Sequence, residues 1–200
     1  MTTRSFYIIT VCFLLLSGKT AAPDYELGDT VSDFELKNFD GKMVSLSDYK
    51  RSKGVILIFD CNTCPYSKAY NDRIIQLHKN YAPKGFPVIT INSNDGAGDS
   101  FEQIVARAKS KNYDFPYLQD KSQQVARAFG ATNTPHVFIL RRNGADFVVS
   151  YIGAIDNNSR SGAQADKKYV EDAVNALLEG KPVPVTKTKA VGCGIRWKEA

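Results

Sequence analysis

The chain has 200 residues, of which 43% are hydrophobic, 24% charged and 11% aromatic, a composition that excludes a disordered chain, a collagen-like chain and a polytopic membrane protein. One domain of this size buries about 70% of its unfolded surface, so it needs no disulfide framework or structural metal to fold. The formal charge of +5 comes from the ends, Arg4 and Lys19 at one and Lys181, Lys187, Lys189, Arg196 and Lys198 against Glu199 at the other, and therefore implies no nucleic-acid surface.

Arg4 precedes an apolar run from Phe6 to Leu16, followed by the small residues Ser17, Gly18, Ala21 and Ala22. A basic start, a short apolar stretch and small residues predict a secretory signal peptide over residues 1–22. The run is shorter than the ~20 residues of a bilayer span. The chain is expected to be exported, to the periplasm or the exterior, membrane-tethered if the segment is not cleaved, with no integral membrane domain beyond it. An exported chain meets an oxidising compartment where a cysteine pair can cycle or lock. Cys12 lies inside this segment.

The remainder divides into a domain over residues 23–180 and an extended C-terminal arm over 181–200. Asp33–Leu36 and Met43–Leu46 are strand-like runs around the turn Phe39-Asp40-Gly41-Lys42. Val55–Phe59 is a continuous apolar run that predicts a strand buried on both faces. Pro65–Tyr81 predicts a helix, with Tyr70, Ile74, Leu77 and Tyr81 at helical spacing. Pro87–Asn92 is a second buried strand, and after the polar loop Asn92–Gly96 either Asp99 or Ser100 caps a helix to about Lys111. Gln123–Phe129 is a short helix ended by Gly130. His136–Leu140 and Phe147–Tyr151 flank Arg142-Asn143-Gly144, a hairpin signal. Asp166–Leu178 is the last helix, with Val170, Val174 and Leu177 on one face. This order predicts an α/β fold, a central mixed sheet flanked by helices. His78, mid-helix among polar residues, reads as solvated.

The chemistry is carried by Cys61-Asn62-Thr63-Cys64-Pro65, which follows a central strand and opens a helix. A cysteine there sees unpaired backbone N–H groups and the positive end of the helix dipole, both of which stabilise a thiolate. Such cysteines ionise at about 3.5–7.5 rather than about 8.5. Two intervening residues bring both sulfurs within bonding distance, and Pro65 is tolerated because its missing N–H would be an orphan in the first turn. Half of a zinc site or a structural disulfide are the other options; the chain has no second CxxC and no HxxxH to complete a zinc site.

In this context the chain resembles the thioredoxin superfamily, specifically the redoxin domain of the alkyl hydroperoxide reductase/thiol-specific antioxidant type. Gly28-Asp29, Asp33-Phe34, Leu36, Asp40-Gly41-Lys42 and Leu46-Ser47-Asp48 are similar to that family's N-terminal extension. Cys61–Pro65 matches its active-site turn, and Thr134-Pro135 matches its cis-proline, which in that fold faces the cysteine pair. Cys61-Asn62-x-Cys64-Pro65-Tyr66, Tyr81–Gly85, Ile155-Asp156-x-Asn158 and Val191-Gly192-Cys193-x-Ile195-x-Trp197 resemble a peroxiredoxin-like subgroup. The resemblance implies a thioredoxin-like fold and a thiol–disulfide oxidoreductase. Cys61 would attack, Cys64 would resolve and Pro135 would hold a partner's extended backbone. Protein thiols and disulfides would be the partners, with no organic cofactor and no metal.

Departures from the neighbouring families matter. A peroxiredoxin has Pro seven residues and Thr or Ser three residues before its peroxidatic cysteine; here these positions are Leu57 and Cys61 before Cys64, or Gly54 and Ile58 before Cys61. A thiol peroxidase is therefore an alternative of lower rank. Thioredoxin's buried Asp is replaced by Val55 and its Trp before the first cysteine by Asp60. Asp60 is expected either to raise the Cys61 thiolate's pKa, making the couple more reducing, or to point into screening solvent. His136, after Pro135, either shuttles protons, joins Cys61 and Cys64 to bind copper as in a metallochaperone, or starts a core strand with its ring on the rim. Cys193 sits between Gly192 and Gly194 on an arm whose Val191, Ile195 and Trp197 can be buried. The arm is expected to fold back over the domain, with Cys193 either a second resolving thiol near the pair or an inert side chain packed with Trp197.

Overall fold

The computed structural model describes residues 24–199; the predicted signal segment and Cys12 lie outside them. The chain forms β1 (Thr30–Val31), β2 (Glu35–Asn38), β3 (Met43–Ser45), β4 (Gly54–Phe59), α1 (Pro65–Tyr81), β5 (Val88–Asn92) and α2 (Phe101–Ser110). It continues with β6 (Tyr117–Gln119), α3 (Gln124–Ala128), β7 (Asn133–Thr134), β8 (His136–Asn143), β9 (Asp146–Gly153), α4 (Tyr169–Leu178) and β10 (Cys193–Gly194). Eight strands form one sheet in the order β1-β9-β8-β4-β5-β6-β2-β3. β4, β5 and β6 run parallel, and the pairings β4–β8, β8–β9, β1–β9, β2–β6 and β2–β3 are antiparallel.

β4 carries no polar alternation because helices or loops cover both its faces. Val55, Leu57 and Phe59 join one apolar cluster with Ile89, Ile91, Phe138 and Leu140. Ile56 and Ile58 join the other, with Tyr70, Ile74 and Leu77 of α1, Ile104 of α2 and Val174 of α4. Gly54 opens the strand because any Cβ there would run into the Phe86 ring and the Leu140 carbonyl. The core strands thus fix the C-terminal end of β4, and with it the start of α1, where Cys61 to Cys64 lie.

Three local expectations change. Asp166 does not start the last helix, which begins at Tyr169; the Asp166 carboxylate instead accepts from the Asn157 side chain. Ser100 rather than Asp99 caps α2, its Oγ accepting the Gln103 N–H at 3.4 Å. His78 is not solvated: its Nδ1 accepts the Val88 N–H at 3.2 Å and its ring lies 5.2 Å from that of Phe115. Burial there lowers its pKa.

The C-terminal arm is extended and docked. Ile152 bridges Lys187 in parallel, and β10 pairs antiparallel with β7, Cys193 opposite Thr134 and Gly194 opposite Asn133. Of the three apolar residues expected to anchor it, Ile195 is buried while Val191 and Trp197 stay exposed. Trp197 stacks its face under the Arg127 guanidinium at 4.4 Å, an amphipathic packing that leaves its ring wet.

Candidate active site

Cys64 is the N-cap of α1 and Pro65 its first residue, so the helix opens directly on the second cysteine. The Cys64 N–H donates to Cys61 Sγ at 3.1 Å, and the Thr134 hydroxyl reaches the same sulfur at 3.2 Å. Cys64 Sγ meets the Thr134 carbonyl at 3.2 Å, and the backbone N–H groups of Ser67 and Cys193 also point at it. Both cysteines are buried, at 2% and 3% exposure. The Thr134–Pro135 bond is cis, and it turns the Thr134 hydroxyl and carbonyl onto the pair.

The two sulfurs titrate together. Their shared hydrogen bond, the largest cause, holds Cys64 down at about 4 and pushes Cys61 up; burial opposes the first shift and adds to the second. The pair therefore gives up one proton far below the ordinary thiol range and keeps the other. Donors converge on both sulfurs, the Cys64 N–H and Thr134 hydroxyl on Cys61 and the Ser67 and Cys193 N–H groups on Cys64, so each is stabilised as the thiolate when the other holds the shared proton.

Cys193 joins them. Its Sγ lies 2.7 Å from Cys64 Sγ, and the Tyr66 backbone N–H, in the first turn of α1, also points at it. It is not packed with Trp197 as an inert filler.

Asp60 does not point into solvent. It is fully buried, and its Oδ2 pairs with Arg107 Nη2 at 3.0 Å. Burial still leaves its pKa raised, with Arg107 opposing. Its charge in turn pushes the Cys61 thiol up, the direction expected from the sequence. Arg107 also donates to the Cys61 carbonyl, to Asn71 Oδ1 at 3.4 Å and to the Tyr113 hydroxyl at 3.2 Å. It thereby clamps the loop from α2. The sequence held one signal for it, an arginine adjoining the apolar stripe of Ile104 and Ala108.

Asp99, freed from capping, is a second anchor. Its carboxylate accepts the Asn62 N–H at 2.7 Å, the Thr63 hydroxyl at 2.9 Å, Asn92 Nδ2 at 3.0 Å and Arg196 Nη2 at 2.8 Å. One buried carboxylate thus ties the residues between the cysteines to the C-terminal arm. An open groove of about 620 Å³ beside this loop is lined by Asn62, Thr63, Asn71 and Arg107 rather than by a cysteine.

His136 is adjacent in sequence to Pro135 but turned away from the sulfurs. Its Nδ1 accepts the Thr132 N–H at 3.4 Å and its ring leans on Phe138, centroids 4.8 Å apart. Among the described residues no group of three His, Cys, Asp or Glu side chains is arranged to hold a metal ion; the copper site with His136 is not assembled. Burial, with Lys187 adding, pushes the His136 pKa down to about 4. The folded chain thus keeps the ring neutral where an unfolded chain protonates it. Stability should fall as pH drops from about 6.5 to about 4, by roughly 3 kcal/mol if this group acts alone. Urea unfolding at pH 7 and pH 4.5 checks it: His136→Gln should flatten the slope, and an unchanged slope refutes the assignment.

Three comparisons place the chain. Residues 27–155 match the model of the AhpC/TSA family. A thiol-disulfide oxidoreductase ResA from Geobacillus thermodenitrificans is 29% identical over 121 residues, which is 59% of this chain and 65% of that protein. An uncharacterized conserved protein from Geobacillus kaustophilus superposes with TM-score 0.81 at 35% identity, over 88% of this chain and 94% of that one. A hypothetical protein from Sinorhizobium meliloti 1021 superposes with TM-score 0.80 at 31% identity, over 91% and 100%. With a family match over well over half its length and the same turn, cis-proline and mixed sheet, the chain belongs to the AhpC/TSA family.

Proposed function

We propose that the protein is an exported thiol–disulfide oxidoreductase that exchanges disulfides with protein thiols through Cys61 and Cys64. The observation that carries the reading is the placement of a CxxC pair at the start of α1, with two hydrogen-bond donors on Cys61 Sγ and the cis-proline loop across it. The name of the Geobacillus thermodenitrificans relative supports it. Export rests on the apolar N-terminal segment; among the described residues no helix is long and apolar enough to cross a membrane.

In this reading Cys61 thiolate attacks a partner disulfide, forming a mixed disulfide and releasing one partner thiolate. Cys64 then attacks Cys61 Sγ, releasing the second partner thiol and leaving the Cys61–Cys64 bond. The edge of β7 beside Pro135 holds the partner's extended backbone once β10 of the arm has released it. Reduction of insulin by the protein with dithiothreitol as the electron source tests this; turbidity no faster than with dithiothreitol alone refutes it.

Peroxidase chemistry has no built pocket, because neither cysteine has the Pro and Thr/Ser positions that would orient a peroxide. Stopped-flow oxidation of the reduced protein by hydrogen peroxide should run within about tenfold of a free thiolate. A rate several orders of magnitude higher would restore the peroxidase.

A further inference from the structure

We infer that Cys193 is a third redox thiol: it takes the disulfide from the Cys61–Cys64 pair by attacking Cys64, and the oxidised protein rests with a Cys64–Cys193 bond. This rests on the oxidoreductase reading above and extends it.

Four observations support the step. The Cys193 and Cys64 sulfurs are 2.7 Å apart, within about 0.7 Å of disulfide bonding distance. The arm is held in place from both sides of the cysteine. Gly192 lies so close that any Cβ would collide with the Thr134 carbonyl, β10 is laddered to β7, and Ile195 N–H donates to the Thr132 carbonyl at 3.0 Å. Arg196 locks onto Thr63, between the two cysteines, and onto Asp99, whose carboxylate also holds that loop. Finally, Cys61 and Cys64 are buried while Cys193 is partly open to solvent. With the arm docked, Cys193 is the sulfur that a reductant in solution can reach.

The electron count is closed. Once a partner disulfide has been reduced, the Cys61–Cys64 bond holds the oxidising equivalents. Cys193 loses its proton to solvent and attacks Cys64 Sγ. The Cys64–Cys193 bond forms as the Cys61–Cys64 bond breaks, and Cys61 leaves as a thiolate that its two donors are already placed to receive. One disulfide is exchanged for another with no outside oxidant. The reverse reaction with the released partner needs a disulfide at Cys61, so the transfer withdraws the product bond from back-reaction and presents it at the accessible sulfur.

The Tyr66 N–H assists Cys193 as a nucleophile from the α1 terminus. In the reduced protein burial, followed by the Cys64 contact, pushes the Cys193 pKa up to about 11. The part due to Cys64 vanishes when that sulfur is in a disulfide, so Cys193 becomes more acidic at the moment it is required to attack.

The test is disulfide mapping of the full chain, reduced, oxidised with diamide, quenched with acid, alkylated and digested. The expected result is a peptide joining Cys64 to Cys193 as the majority species, with Cys61 alkylated. Gly192→Val keeps all three thiols but forces the arm off the Thr134 carbonyl, and should move the bond to Cys61–Cys64. Cys61→Ser should still form Cys64–Cys193, with circular dichroism confirming its fold. A Cys61–Cys64 bond with Cys193 freely alkylated in the wild type overturns the inference while leaving insulin reduction intact. Loss of insulin reduction in the wild type fails the underlying reading instead.

Discussion

Cys61→Ser is expected to abolish insulin reduction, whereas Cys64→Ser should keep the first step and stall after it, accumulating a mixed disulfide between Cys61 and the partner. The asymmetry follows from the donors. Cys61 Sγ receives the Cys64 N–H and the Thr134 hydroxyl, which stabilise it as the attacking thiolate. Serine at position 61 removes the nucleophile, and its alkoxide is inaccessible at neutral pH. Serine at position 64 leaves the nucleophile but removes the group that cleaves the mixed disulfide. Non-reducing electrophoresis with a disulfide-bonded partner protein reads the trapped species. Faster alkylation of Cys64 than of Cys61 near pH 6 would reverse the roles and sink the assignment.

Arg107→Met should be the most destabilising single change near the site, by about 3–5 kcal/mol, because it strands the Asp60 carboxylate in the core. That corresponds to a fall in Tm on the order of 10 °C for a domain of this size. Asp60 is fully buried and its Oδ1 has no partner among the described residues, so Arg107 is its main compensation. The direction with pH follows. Without Arg107 the folded-state pKa of Asp60 rises further above the unfolded value, so the folded chain binds the extra proton. The variant is then more stable at pH 5 than at pH 8, losing stability as pH rises. Replacing both partners, Asp60→Asn with Arg107→Met, should recover most of the loss. Urea denaturation of the two singles and the double at both pH values checks the sign and the coupling. A single variant as stable as the wild type would show that solvent, not Arg107, balances Asp60.

What was legible in the sequence was local. β4 follows from an unbroken apolar run, α1 from its helical spacing after a proline, and the reactive pair from its place between them. The cis-proline came through the family resemblance at Thr134-Pro135. Contacts across the fold were not legible. Asp60 looked as able to face water as to be buried, since its burial depends on Arg107, 47 positions later. Asp99 looked like one of two possible caps beside Ser100; its real partners come from residues 62, 63, 92 and 196. His136 was adjacent to Pro135 in sequence, but alternation along β8 turned its ring toward Phe138. Trp197 was expected to anchor the arm on apolarity alone, whereas a charged side chain, Arg196, makes the tighter contact.

The ladder between β10 and β7 is only two residue pairs long. Opening it breaks far less than global unfolding does, so its amides belong to the least protected class of structured amides. Hydrogen exchange at the Ile195 amide would therefore report arm opening alone, while amides of β4 would report loss of the whole sheet. A partner strand seeking the same β7 edge binds only the open fraction, and its apparent dissociation constant is the intrinsic value divided by that fraction. Each ~1.4 kcal/mol of arm docking weakens it tenfold. The last few residues thus set an affinity threshold: an extended segment must outcompete a strand that is always present at the site.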